Sequence, residues 1–376
     1  MKRIYFDNAA TTPVSTDVIE IMREALEDHW GNPSSIYAEG RTSRAAIERA
    51  RKSVANSIGA SIGEVFFTSG GTESNNMALK CAVRDLGVKR IISSPLEHHC
   101  ILHSLDHLKD HHGIAIEMVN LHENGRIDID SLKKLLSSSN EKTLVSLMHS
   151  NNEVGLMIDL DEVSAICEEH GAYFHSDTVQ TVGYFPIDVS KSKLAFISGS
   201  AHKFHGPKGI GFVYINGDNM IKPYIDGGSQ ERNMRGGTEN IYGILGLAKA
   251  LESSIDGMQE KKAKIEIVRD HMIEQLKTHF PDIHFNSDFD GPNHYKVLNV
   301  TFPKSDKSDM ILFNLDIAGV SVSGGSACSS GADQGSHVIN SLPNTIEGKA
   351  IRFSFSHHNT KEEVDFVIEQ LKKALH

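Results

Sequence analysis

Ile197-Ser198-Gly199-Ser200-Ala201-His202-Lys203-Phe204-His205-Gly206-Pro207-Lys208-Gly209 runs from an apolar pattern into small residues, then a His-Lys pair, then glycine and proline. The run 194–197 ahead of it reads as a short buried strand, and 210–215 behind it resumes as another. A lysine just past a strand end, hemmed in by Gly, Pro and Phe, is an unusual place for a solvated cation. Partial desolvation and nearby cations lower a lysine pKa and make the amine a nucleophile able to form a Schiff base. The bland alternative is a surface turn that happens to carry Lys203 and Lys208.

Working outward, strand-like runs recur at 65–68, 90–93, 116–119, 143–148, 172–175, 194–198 and 210–215. Helical patterns, such as 161–169, separate most of them. The alternation predicts an α/β fold: a mainly parallel sheet between helices, binding its ligands at the carboxyl ends of the strands. Upstream, 4–13 reads as a short strand ending in small and polar residues. Ser15 is expected to cap a helix carrying Val18, Ile19, Met22 and Leu26, and a second helix runs through Ile47, Val54 and Ile58. Near Gly236-Gly237-Thr238 the alternation stops. Thr238 is expected to cap a helix reaching about residue 254, followed by a helix over 259–280. Strands at 296–302 and 350–355 flank a helix over 308–318. Thr360 and Glu363 form a capping box, and Val364, Val367, Ile368 and Leu371 line the last helix. The expected division is a large domain over 15–256 and a smaller α+β domain made of 1–14 and 257–376.

The net charge of -11, with no basic run to offset it, argues against nucleic acid or an anionic membrane surface as partner. No apolar stretch approaches the ~18 residues that span a bilayer, and because Met1 leads straight into a strand pattern no signal or transit peptide is expected. The four cysteines, Cys81, Cys100, Cys167 and Cys328, are scattered without a CxxC pair. That fits a reducing cytoplasm and neither a disulfide frame nor a zinc site.

Each strand of the alternation delivers chemistry at its carboxyl end. Thr68-Ser69-Gly70-Gly71-Thr72-Glu73-Ser74-Asn75-Asn76 is a glycine pair opening a helix, and helix N-terminal N–H groups beside hydroxyls suit a phosphate. It is neither a P-loop nor GxGxxG. His98, in Leu96-Glu97-His98-His99-Cys100, could stack on a flat ring or move protons; a simple polar cap is the alternative. Asn151 and Asn152 offer neutral donors. Asp177 could hold a protonated ring nitrogen. Phosphate donors, a stacking histidine, an amide, an acid and a lysine, in this order, match pyridoxal 5'-phosphate, whose ring serves as an electron sink.

These motifs, together with Tyr5-Phe6-Asp7-Asn8-Ala9-Ala10-Thr11-Thr12, Asn151-Asn152-Glu153-Val154-Gly155 and Arg235-Gly236-Gly237-Thr238, cover essentially the whole chain. It resembles the cysteine desulfurases of iron–sulfur cluster assembly and nitrogen fixation, in the class V aminotransferase group of fold type I. The resemblance implies pyridoxal 5'-phosphate bound to Lys203, Asp177 on its pyridine nitrogen and His98 stacked on its ring. Asn152 and Gln180 would contact the ring oxygen and neighbouring groups. Gly71, Thr72, Ser200 and His202 would bind the phosphate, with Thr238 reaching it from the second subunit of a homodimer. Arg352, in Ala350-Ile351-Arg352-Phe353-Ser354, matches the residue that holds the substrate carboxylate, beside Asn152. No metal ligands are implied.

Ser323-Gly324-Gly325-Ser326-Ala327-Cys328-Ser329-Ser330-Gly331 resembles the long-loop subgroup, in which this cysteine receives sulfur as a persulfide. A cysteine among Gly and Ser is expected to be exposed and mobile, unlike a buried structural thiol; a flexible linker with an incidental cysteine is the alternative. The implied activity takes L-cysteine to L-alanine and passes sulfur to an acceptor protein such as an iron–sulfur scaffold, in the cytoplasm. Housekeeping members carry a longer tail than the one ending at His376, so neither the scaffold nor its docking mode follows from the resemblance. The rival enzymes are a selenocysteine lyase or another class V aminotransferase; a transaminase needs no thiol at Cys328. A catalytically dead binding protein is disfavoured by intact Lys203, Asp177, Cys328 and Arg352.

Overall fold

The computed structural model describes residues 3–324 and 335–375. It opens with strand β1, Ile4–Tyr5, which has no neighbour nearby in sequence. Seven strands then build one sheet: β2 (Val65–Thr68), β3 (Arg90–Ser93), β4 (Ala115–Met118), β5 (Thr143–Ser146), β6 (Tyr173–Asp177), β7 (Phe196–Ser200) and β8 (Gly211–Ile215). Their order is β2-β8-β7-β6-β5-β3-β4. The pairs from β4 to β7 are parallel, and β8 runs antiparallel to both β7 and β2. The predicted mainly parallel sheet is therefore present.

Side chains alternate along each strand, and here both faces are apolar. Phe67, Ile92, Val145, Ile197 and Phe212 point into one core, while Phe66, Ile91, Leu144, Phe196 and Val213 point into another. A sheet buried on both faces needs helices on both, which the crossover helices supply. Polar side chains are then few within the strands, as at His175 and Ser198, and gather at the strand ends.

Downstream come β9 (His284–Phe285), β10 (Val297–Pro303), β11 (Val320–Ser321) and β12 (Gly348–Ser354). A second, antiparallel sheet has the order β12-β10-β9. The N-terminal segment joins these elements: β1 pairs with β11, and Asp7 bridges to Ser354 at the end of β12.

Several local expectations are corrected. Thr238 does not cap the following helix; Ile241–Ile255 begins at Asn240, whose side chain accepts the Gly243 N–H. The helix expected over 308–318 is two, Asp306–Asp309 and Ile311–Ile317, because a capping box at Ser305 closes a separate first turn. Ser15 holds the N-cap position of Thr16–Asp28, but its hydroxyl donates to Asp17 and caps nothing. Strand β7 continues through Ser200, two residues past expectation. Gly199 makes this possible, since a Cβ there would lie 2.2 Å from the Phe212 ring on the neighbouring strand. The box of Thr360 and Glu363 is present, each residue's N–H donating to the other's side chain.

Candidate active site

The carboxyl ends of β2, β3, β5, β6 and β7 surround a cavity of about 260 Å³. Gly71, Thr72, His98, Asn152, Asp177, Gln180, Ser200, His202, Lys203 and Arg352 all line it. Thr238 does not; it is exposed on the loop before Ile241–Ile255. Cys328 lies outside the described residues.

Lys203 follows β7 in a short 3-10 turn, Ala201–Lys203. Its Nζ donates to the carbonyl oxygens of Ala9 at 2.7 Å and Ala10 at 2.8 Å. Gln180 Nε2 donates to the same Ala9 oxygen at 3.0 Å, while Gln180 Oε1 is buried with no partner among the described residues. Tyr184 supports the turn from below, its hydroxyl donating to the Lys203 carbonyl at 2.9 Å.

Asp177 closes β6, and both its oxygens are held. Oδ2 accepts Asn75 Nδ2 at 2.7 Å; Oδ1 accepts the Val179 N–H at 2.9 Å. Asn75 is itself oriented, since its Oδ1 accepts from His175 Nε2 at 3.2 Å and Ser146 Oγ donates to His175 Nδ1 at 2.9 Å. Burial pushes the His175 pKa down to about 4, with Asp177 opposing, so the ring is neutral and its tautomer is set by these two bonds. This Ser146–His175–Asn75–Asp177 chain fixes a carboxylate facing the cavity. Asn75 belongs to the glycine-pair motif, but nothing in its local sequence announces that it reaches another strand end.

The part of the cavity lined by Gly71 and Thr72 has the features of an anion site. Helix Gly71–Asp85 starts at Gly70 with φ 151°, a backbone that favours glycine, and no side chain caps its first N–H groups. A Cβ on Gly71 would lie 2.5 Å from Val179 Cγ2, so the close approach requires glycine. His202 Nδ1 bonds Thr11 Oγ1 at 3.1 Å. Burial, then Lys203, Lys208 and Lys296, push the His202 pKa down to about 4.

His98 is the N-cap of helix His99–His112, its Nδ1 accepting the Cys100 N–H at 3.1 Å. Burial lowers its pKa; Asp177 opposes this, and Lys203, His337 and His103 reinforce it. A neutral ring with Nδ1 engaged carries its proton on Nε2. His98 thus offers the cavity a donor, and accepting a proton requires breaking the cap bond. Cys100 also lines the cavity, with burial pushing its thiol up to about 12. His337, beyond the undescribed segment, lines it too and bonds the Glu97 carbonyl through Nε2 at 2.9 Å.

Arg352 reaches the cavity from β12. Its Nη1 donates to the Asn152 carbonyl at 2.8 Å and its Nη2 to Asp7 Oδ1 at 2.7 Å, while Nε is buried with no partner among the described residues. Asp7 stands among the motif residues Tyr5 to Thr12, where nothing local gives it a role; only the pairing of distant segments reveals one. Among the described residues, no group of three or more His, Cys, Asp or Glu is placed to hold a metal ion.

The donor set fits pyridoxal 5'-phosphate: an amine, a fixed carboxylate, an uncapped helix start at the glycine pair and an orphaned buried amide oxygen. Fold and cavity together define a type I pyridoxal-phosphate scaffold, and the chain belongs to the aminotransferase class-V family, whose model matches residues 4–367. It is 41% identical over 383 residues to the cysteine desulfurase IscS of Dictyoglomus turgidum, covering 100% of this chain and 95% of that protein. It is 40% identical to the cysteine desulfurase IscS of Methanosarcina thermophila, covering 98% and 91%. A solved NifS-like protein superposes with a TM-score of 0.91 at 34% identity, covering 99% of each chain. A structure described as SspA in complex with cysteine has a TM-score of 0.81 at 29% identity, covering 95% of this chain and 100% of that one.

Proposed function

We propose that this protein is a cysteine desulfurase that uses pyridoxal 5'-phosphate to convert L-cysteine to L-alanine and retains the sulfur as a persulfide on Cys328. The single observation that carries the reading is the convergence of Lys203, Asp177, His98 and Arg352 on one cavity. Full-length identity to proteins named cysteine desulfurase supports it.

Lys203 would hold the cofactor. Asp177 would keep the pyridine nitrogen protonated, and Gly71, Thr72, Ser200 and His202 would bind the phosphate, with Thr238 added by the second subunit of a homodimer. Gln180 and Asn152 would face the ring oxygen, and His98 would stack on the ring. When bound, the cofactor supplies a sink for electrons at the substrate's Cα. Arg352 would receive the substrate carboxylate, since a guanidinium suits that planar group. Lys203 would move protons at the Cα. The Cys328 thiolate attacks the substrate sulfur: one S–S bond forms, the Cβ–S bond breaks, and its electron pair and a proton end on Cβ. L-cysteine and one enzyme thiol thus become L-alanine and one enzyme persulfide, in balance.

The same reading assigns the sulfur to iron–sulfur assembly or thio-modification through an acceptor protein, in the cytoplasm. It also divides the chain into a large domain, 15–256, and a small one, 1–14 with 257–376. No described helix is long and apolar enough to cross a membrane. Incubating purified protein with cysteine and measuring alanine, sulfide and the mass of the Cys328 peptide tests the proposal. Absence of cysteine-dependent alanine from cofactor-loaded protein would overturn it.

A further inference from the structure

We infer that Asp7 is the positioning residue for the substrate carboxylate, acting through Arg352. The inference deepens the proposed function and rests on it in one respect, the assignment of Arg352 to that carboxylate.

Arg352 is 2% exposed, and an uncompensated guanidinium at such a site is strongly unfavourable. Among the described residues Asp7 is the carboxylate paired with it, at 2.7 Å. Nη1 is tied to the Asn152 carbonyl and Nη2 to Asp7, so one anchor on each terminal nitrogen sets the plane of the group. Among the described residues, each terminal nitrogen keeps a second N–H without a partner, and Nε keeps its own. An incoming carboxylate therefore meets a fork whose orientation is already fixed, and such preorganisation raises affinity.

Asp7 can hold that plane because its own backbone cannot drift. Ser354, two residues beyond Arg352 on β12, donates its N–H to the Phe6 carbonyl at 2.7 Å. Its hydroxyl accepts the Ala9 N–H at 2.8 Å, and its carbonyl accepts the Asn8 N–H at 3.2 Å. The strand that carries Arg352 is thus sewn to the segment that carries its counter-ion. That segment continues into Ala9 and Ala10, whose carbonyls hold Lys203 Nζ. One stretch of four residues, 7–10, therefore sets the spacing between the group that meets the carboxylate and the amine at the reacting end. A ligand with both an amine and a carboxylate gains from this registry; a plain amine does not.

The test is equilibrium titration of the cofactor-loaded protein with L-alanine and with ethylamine, followed by visible absorption. Alanine has no thiol, so the readout does not depend on sulfur transfer. Asp7→Ala is expected to weaken alanine about tenfold, the value of one charge-assisted hydrogen bond, and to move ethylamine less than about twofold. Asp7→Asn keeps an acceptor oxygen without the charge, so it falls between and guards against misfolding of the alanine variant. Unchanged or tighter alanine binding in both variants overturns the inference, because Asp7 would then be a bystander or a competitor. Equal weakening of alanine and ethylamine also overturns it and makes Asp7 merely structural. Arg352→Lys separates the two levels. If it weakens alanine while Asp7→Ala does not, only the inference fails; if neither weakens alanine, the assignment of Arg352 fails with it.

Discussion

Lys203 Nζ lies 2.7 Å from the carbonyl oxygen of Ala9, so the lysine at the end of β7 is held by a segment almost two hundred residues upstream. That contact places a primary amine at the mouth of the sheet, with the Asp177 carboxylate lining the same cavity. If the amine carries the cofactor, borohydride should fix it to Lys203, and peptide mapping should find it there. Lys203→Ala should lose the visible absorption of the linked cofactor and on the order of 10³-fold in turnover. Cofactor trapped on Lys208 would overturn the assignment.

Cys328→Ser should still bind cofactor and still change its spectrum on adding cysteine, while making no persulfide and almost no alanine. A thiol of ordinary pKa, about 8.5, ionises readily beside thiols buried in apolar surroundings. Burial pushes the thiols of Cys81, Cys100 and Cys167 up to about 12. Iodoacetamide should accordingly label Cys328 first. Undiminished alanine formation by the serine variant would move the chain to a rival reading.

Gly71→Ala should reduce affinity for pyridoxal 5'-phosphate about tenfold, because its Cβ would meet Val179 Cγ2 at 2.5 Å and push the helix start off the phosphate. Adding Val179→Ala should restore most of the loss by removing the clashing methyl. Fluorescence titration of the apo-protein reads both. Failure of the second change to rescue would place the phosphate elsewhere.

Acid should destabilise the fold through its buried histidines, above the range where ordinary carboxylates titrate. Burial pushes His149 and His175 down to about 4 from the usual 6.5. The unfolded chain then binds more protons than the folded one between about pH 6.5 and 4, so stability falls as pH falls through that window. Each histidine should contribute about 1.4 kcal/mol per pH unit there at most. Urea unfolding at pH 7 and pH 5 checks the slope; equal stability at both would contradict it.

Arg51 and Glu231 form a buried pair, Nη1 to Oε2 at 2.6 Å and Nη2 to Oε1 at 2.9 Å, and Glu231 also accepts the Phe67 N–H at 2.8 Å. The pair pins a turn in which Glu231, Arg232 and Asn233 all have positive φ. Glu231→Ala leaves the buried Arg51 guanidinium with Glu48, 3.1 Å from its Nε and 40% exposed, as its remaining counter-ion, and should cost about 3 kcal/mol. Urea unfolding at neutral pH measures it, and a loss under about 1 kcal/mol would show that the turn relaxes to solvate Arg51.

Much of this was legible in the chain because it is local. Continuous apolar runs such as Phe66-Phe67 and Ile91-Ile92 announce strands buried on both faces, and the residues that follow each parallel strand emerge at one sheet edge. Lys203, Asp177, His98 and Gly71 could therefore be assigned to one site from order alone. Helix starts were less legible, since Thr238, Ser15 and Asn240 all have side chains able to cap and only the final backbone path decides which one does. What the sequence could not express is pairing across long separations. Asp7 meets Arg352, Glu231 meets Arg51 and Asn75 meets Asp177 because the sheet order and the return of the N-terminal segment to β12 bring them together. Such contacts depend on which backbone groups satisfy one another across the folded chain, a condition set by global topology that no local pattern carries.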